Sequence, residues 1–108
     1  MNDLDYIQAP AALAEIVART EELNFKMASE PRTGALLRAL SASKPAGRLL
    51  ELGTGTGVAT AWLLSGMDDR STLTSVDTDA QVQSVAKEAL GRDTRLTLVL
   101  EDAAAFLR

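Results

Sequence analysis

Three glycines and three carboxylates carry the chemistry open to this sequence. Gly53, Gly55 and Gly57 alternate within "LLELGTGTGVAT", Leu49 to Thr60; Glu51 precedes them, Asp77 closes "LTSVD", and Asp102 closes "LTLVLED". Each glycine costs conformational entropy on folding, and one would be enough to make a turn. Three in so short a stretch suit a backbone that a ligand must touch closely. The helix that follows adds unpaired N–H groups and partial positive charge. An acid after the second strand, about twenty residues beyond such a loop, can accept hydrogen bonds from ribose hydroxyls. Taken singly, each feature has a plain reading: a tight turn, a turn aspartate, a helix cap. Their common place at the carboxyl ends of successive strands favours one crevice over three accidents. Two nucleotide patterns fail here. The G-x-G-x-x-G fingerprint of dinucleotide sites has Val58 in its third glycine slot, and no Gly-Lys-Ser/Thr ends the loop. Glu51 would repel a pyrophosphate, and a ligand with a cationic end suits it better.

Composition narrows the field further. The chain has 108 residues, 46% hydrophobic and 24% charged, with net charge −4. That is one globular domain with a modest core, and nothing basic enough to favour nucleic acid or an anionic membrane. With no cysteine and no histidine, thiolate nucleophiles, imidazole bases, disulfides and the usual zinc ligands are excluded. No metal site is expected. No apolar run reaches membrane-spanning length, and "MNDLDYIQAP" lacks the regions of a signal peptide. A cytoplasmic location follows as the expectation.

The elements that must position these residues fall into two parts. Residues 1–47 read as helical. Pro10 is expected as the first residue of a helix whose stripe is Leu13, Ile16, Val17 and Leu23. Ser29 is expected to cap a second helix, with Pro31 in its first turn and Leu36, Leu37 and Leu40 on its buried face. "SASKPAG", Ser41 to Gly47, reads as a loop. Residues 48–108 alternate strand and helix: strand Leu49–Leu52, helix Val58–Ser65 stopped by Gly66, and strand Ser71–Val76. A helix Ala80–Leu90 follows, capped by Asp79 and closed by Gly91, then strand Arg95–Leu100 and a helical start at Ala103–Leu107. This alternation predicts an α/β fold with a parallel sheet. Lys44 and Lys87 read as solvated surface, and Trp62 as core.

"LLELGTGTG", "SVDTD" and "EDAAAFL" together resemble the first three motifs of class I S-adenosylmethionine-dependent methyltransferases. The likeness is strongest to the small-molecule O-methyltransferases of the catechol and caffeoyl-CoA type. "KMASEPRTGALLRAL" resembles the segment those enzymes carry before their first strand. The resemblance runs from about Met27 to the end and implies a Rossmann-like half-fold with a three-stranded parallel sheet in the order 3-2-1. It further implies that Gly53, Thr54, Gly55 and Gly57 wrap the methionine part of the cofactor, with Glu51 near its ammonium. Asp77 and Thr78 would hold the ribose, Asp102 the adenine amino group with Ala103 beside the ring, and Met27 and Ser29 would close over the cofactor.

The family continues with four further strands. The acid that assists metal binding in some members, the basic residue that helps deprotonate the acceptor, and the acceptor-choosing loops lie in that further part. No catalytic residue is therefore assigned within these 108 residues, and a divalent metal is expected only if such a part supplies its ligands. Strand Leu49–Leu52 becomes a sheet edge, and such edges recruit partners; a homo-oligomer through it is expected. The alternative to an O-methyltransferase portion is a non-catalytic cofactor-binding or dimerisation module. A nicotinamide dehydrogenase fragment is disfavoured by Val58 and Glu51.

Overall fold

Short apolar runs rich in leucine and valine, too brief for helices and separated by helices of two to three turns, pair side by side in this chain. The computed structural model describes residues 8–23 and 31–108; Met27 and the expected cap Ser29 lie outside them. The elements in order are α1 (Leu13–Glu22), α2 (Pro31–Ala42), β1 (Arg48–Leu52), α3 (Val58–Gly66), β2 (Thr72–Asp77), α4 (Ala80–Leu90), β3 (Leu96–Leu100) and α5 (Ala103–Phe106). All three strands are parallel in the order β1-β2-β3, which is the expected order 3-2-1 read from the other side.

Register decides which side chains share a face. Leu49, Leu73 and Leu96 align across the sheet, as do Glu51, Ser75 and Leu98. The first row joins the core with Val58, Ala61, Trp62, Leu64, Val85 and Leu90 from α3 and α4. On the other face β1 presents Leu50 and Leu52, 49% and 48% exposed. As the sequence suggested, β1 is an edge strand. Among the described residues no helix is long and apolar enough to cross a membrane.

The α2–α3 contact differs from expectation. Leu36 and Leu40 are 58% and 55% exposed; the buried face of α2 is made by Gly34, the partly buried Leu37, and Ser41. The reason is the size of Trp62, which is 1% exposed. A Cβ on Gly34 would come within 2.3 Å of its indole ring, and the Arg38 guanidinium lies 4.7 Å from the ring centroid. Gly66 likewise serves close approach and is not a left-handed helix stop: it is the last helical residue, and a Cβ there would sit 2.1 Å from the Arg38 carbonyl. The Ser41 hydroxyl donates to the Leu63 carbonyl at 2.8 Å. Small residues thus let the two helices meet where leucines would hold them apart.

Other departures are smaller. Pro10 does not begin α1; its carbonyl accepts from the Leu13 N–H at 3.0 Å in a preceding turn. Of the expected α1 stripe, Ile16 is fully buried and Leu13 and Leu23 pack against the core. Helix α2 runs on through Ala42, so the loop is shorter than "SASKPAG". Strand β2 starts at Thr72, one residue late, because the Asp68 carboxylate accepts the N–H groups of Arg70 and Ser71 in a tight turn.

Candidate functional site

The glycine loop needs its glycines for different physical reasons. All three have positive φ: +93° at Gly53, +54° at Gly55 and +99° at Gly57. A Cβ added to Gly53 would meet nothing within 4 Å, so that glycine faces open space and is required by backbone conformation alone. At Gly57 a Cβ would come within 2.8 Å of the Ala86 Cβ on α4. This glycine lets loop and helix touch, whether or not a ligand is bound. Gly55 donates its N–H to Asp77 Oδ2 at 2.7 Å.

Asp77 ends β2 and holds the loop in place. Its other oxygen accepts from the Asp79 N–H at 3.0 Å, while Asp79 caps α4 by accepting from the Val82 N–H. A hollow of about 190 Å³ opens here, lined by residues 53–56, Val58, Ala59 and Asp77. It lies at the carboxyl edge of the sheet and at the start of α3, where unpaired helix N–H groups point outward. A larger groove of about 490 Å³ runs beside α4 and β3, lined by Ala80, Gln83, Ser84, Lys87, Gly91, Leu96, Leu98 and Leu100. Leucines dominate its strand wall, and neither the glycine loop nor a strand-end acid borders it. The smaller hollow is the one with chemistry.

Glu51 lies outside that lining, on the same sheet face as Ser75. Ser75 Oγ donates to its Oε1 at 2.6 Å, and Thr60 Oγ1 from α3 donates to the same oxygen. Both bonds fall on Oε1, so Oε2 is engaged by neither. Burial pushes the Glu51 carboxyl above its ordinary value; donation from Ser75 and Thr60 pulls it back, and the Asp77 charge pushes it up again. A carboxyl raised in the folded state contributes stability at pH values below its unfolded value, and that contribution is lost as pH rises through the folded value. Glu51→Gln keeps an oxygen for both hydroxyls and removes the buried charge. We expect it to melt no lower than wild type at neutral pH, with any advantage disappearing on acidification below the glutamate range, as thermal unfolding at the two pH values reports. Its affinity for a cationic ligand should fall.

Asp102 shares the sheet edge with Asp77. Leu100 pairs with Asp77 in register, and the Glu101 N–H donates to the Asp77 carbonyl at 2.9 Å. The exposed Asp102 carboxylate caps α5, accepting from the Ala105 N–H at 3.1 Å, and does not line the hollow. Thr78 is exposed beside Asp77, and Ala103 is half-buried at the start of α5. Among the described residues no group of three or more acids is placed to hold a metal ion.

What sequence reasoning missed is a polar layer under the loop. Thr54, Thr60, Ser75 and Gln83 are all buried, at 4%, 0%, 0% and 7% exposure. Thr54 Oγ1 lies 2.7 Å from Ser75 Oγ and accepts from Gln83 Nε2 at 3.1 Å; the same Nε2 donates to the Val99 carbonyl at 3.0 Å. Thr54 therefore turns its side chain inward and offers the hollow its backbone. On the far side, Thr20 of α1 places its hydroxyl 2.8 Å from that of Thr56. One signal was available: Ser75 stands two residues after the inward Leu73 on β2, so strand alternation alone places it inside.

Comparison with known proteins fits this geometry. Residues 50–108 match the methyltransferase domain family. A curated relative from Mycobacterium sp. (strain KMS), named as an O-methyltransferase, is 42% identical over 77 residues, covering 68% of this chain and 35% of its own length. The chain thus spans about a third of the length of the curated relatives it matches. Cofactor-bound Rv0187 from MTB superposes with a TM-score of 0.86 at 26% identity, over 97% of this chain and 50% of the other. The O-methyltransferase TomG from Streptomyces achromogenes, in complex with SAM, gives 0.84 at 22% identity, over 94% and 48%. These likenesses establish a Rossmann-like class I methyltransferase fold.

Proposed function

This chain belongs to the methyltransferase domain family, and on that premise we propose that residues 48–108 form the S-adenosylmethionine-binding unit of a small-molecule O-methyltransferase, with residues 1–47 covering the cofactor. The observation that carries this reading is the Gly55 N–H bond to Asp77, which fixes a glycine loop and a strand-end acid around one hollow. The residues fit the cofactor. The space over Gly53 is open, the first turn of α3 borders the hollow through Val58 and Ala59, and the nearby acids suit a ligand carrying both ammonium and sulfonium charge. When bound, the cofactor supplies an electrophilic methyl group on sulfur.

The chain's own part is to bind and orient. Asp77, with Thr78 beside it, accepts from the ribose hydroxyls. Glu51, whose Oε1 holds the Ser75 and Thr60 bonds, keeps Oε2 for the ammonium, and the backbone of residues 53–57 lies along the methionine portion. Asp102 and Ala103 take the adenine edge. Met27 and Ser29 are assigned to closure over the cofactor by the resemblance alone. No base for an acceptor hydroxyl and no metal ligand is assigned within these residues. The alternative of a non-catalytic module has no observation in its favour. Isothermal titration with S-adenosylhomocysteine tests the reading: saturable binding at one site supports it, and a folded protein that gives no heat at millimolar ligand contradicts it.

We assign the protein to the cytoplasm, and to a homo-oligomer joined along β1. Its outer edge is not hydrogen-bonded within the sheet, and Leu50 and Leu52 beside it are about half exposed. Light scattering should give twice the monomer mass, and Leu50→Lys should return the monomer. A wild-type monomer at high concentration would refute the pairing.

A further inference from the structure

Beneath the glycine loop, the direction of every hydrogen bond in the polar layer can be deduced. Gln83 Nε2 can only donate, and it gives one N–H to the Val99 carbonyl and the other to Thr54 Oγ1. At the other end ionised Glu51 can only accept, so Ser75 spends its single hydroxyl proton on Oε1. The proton between Thr54 and Ser75, 2.7 Å apart, must then belong to Thr54. The chain runs one way: Gln83 to Thr54, Thr54 to Ser75, Ser75 to Glu51. It crosses α4, the loop, β2 and β1, and Thr60 of α3 closes on the same Glu51 oxygen.

We propose that Gln83, Thr54 and Ser75 are positioning residues, an ordered relay of donors that holds the glycine loop and fixes the Glu51 carboxylate with Oε2 toward the cofactor's ammonium. The proposal rests on the cofactor reading above for its last link only. Its physical basis is that Gln83, Thr54 and Ser75 are buried, so removing one leaves a neighbour a hydrogen bond short where no water replaces it, and such losses are costly. Loop geometry and Glu51 orientation are therefore coupled. Strand β3, which leads into Asp102 and Ala103, joins the same unit through the Val99 carbonyl. The charged group acting on Glu51 is Asp77 of β2; α3, packed over it, carries no charge.

Ser75→Ala cuts the relay beside Glu51, and Thr54→Val cuts it one link away with little change of shape. In the ligand-free protein, the carboxyl 13C resonance of Glu51 should titrate at higher pH in Ser75→Ala than in wild type, because a donor to the ionised form is lost. Thr54→Val should move it less. Affinity for S-adenosylhomocysteine should fall about tenfold in Ser75→Ala, and its acid limb should shift upward with the Glu51 midpoint. Thr54→Ser, which restores the hydroxyl, should recover what Thr54→Val loses. An unmoved Glu51 midpoint in Ser75→Ala overturns the relay. A moved midpoint with wild-type affinity and acid limb overturns its positioning role. A wild type that fails to bind the ligand overturns the cofactor reading, while the titration still decides whether the relay exists.

Discussion

Asp77→Ala should lower affinity for S-adenosylhomocysteine by roughly a hundredfold, the combined loss of hydrogen bonds to a charged group and of a preformed loop. The carboxylate has two duties in this structure. It accepts from Gly55 and Asp79, setting the loop and the start of α4, and it borders the hollow where ribose hydroxyls would lie. Asp77→Asn separates the duties. The amide oxygen can keep one backbone bond and much of the loop geometry, but the negative charge that ribose hydroxyls favour is gone. Isothermal titration should rank wild type above Asn above Ala. Equal affinity in wild type and Asp77→Ala would remove the ribose from Asp77.

Trp62→Ala should be the most damaging substitution in the core. The indole fills the interface of α2 and α3, with Gly34 against its ring and Arg38 over its face. Truncating a buried tryptophan costs about 3–5 kcal/mol. For a domain of this size that corresponds to a fall in melting temperature on the order of 20 °C. The loss is poorly recovered by collapse, because Gly34 against the ring has no side chain to move in. Circular dichroism on heating measures it. A shift of only a few degrees would mean that α2 packs elsewhere.

The same interface shows what a reader of the sequence can and cannot see. Alternation of strand and helix gave the parallel sheet, and the family resemblance its order, since each apolar run is too short for a helix and is followed by capping and glycine signals that carry their own local physics. Asp79 capped α4 as expected. Hydrophobicity misled on α2. Leu36 and Leu40 looked like a buried face, but a tryptophan on the neighbouring helix demanded small residues instead, so Gly34 and Ser41 went inside. Nothing local to α2 reports on the size of a partner twenty or more residues away.

The site divides along similar lines. The glycines, Asp77 and the shared strand ends were legible because backbone conformation and edge position follow from spacing. The polar layer was not, because Thr54 reads as a cofactor contact and nothing local to α4 marks Gln83 as buried until the loop is folded back over β2. Glu51 was visible as an acid before the loop. That Ser75 and Thr60 would share one of its oxygens depends on three elements meeting, and spacing along one chain does not encode that.

In the proposed complex an adenosyl sulfonium lies on the backbone of Gly53 to Gly57, between that loop and the acids at the strand ends. Titrating 15N-labelled protein with S-adenosylhomocysteine and following amide resonances tests it residue by residue. Gly53, Gly55, Thr56, Asp77 and Ala103 should shift together and saturate at one ligand per chain. Shifts confined to Ser84, Lys87 and Leu98, along the groove between α4 and β3, would place the ligand elsewhere and overturn this site.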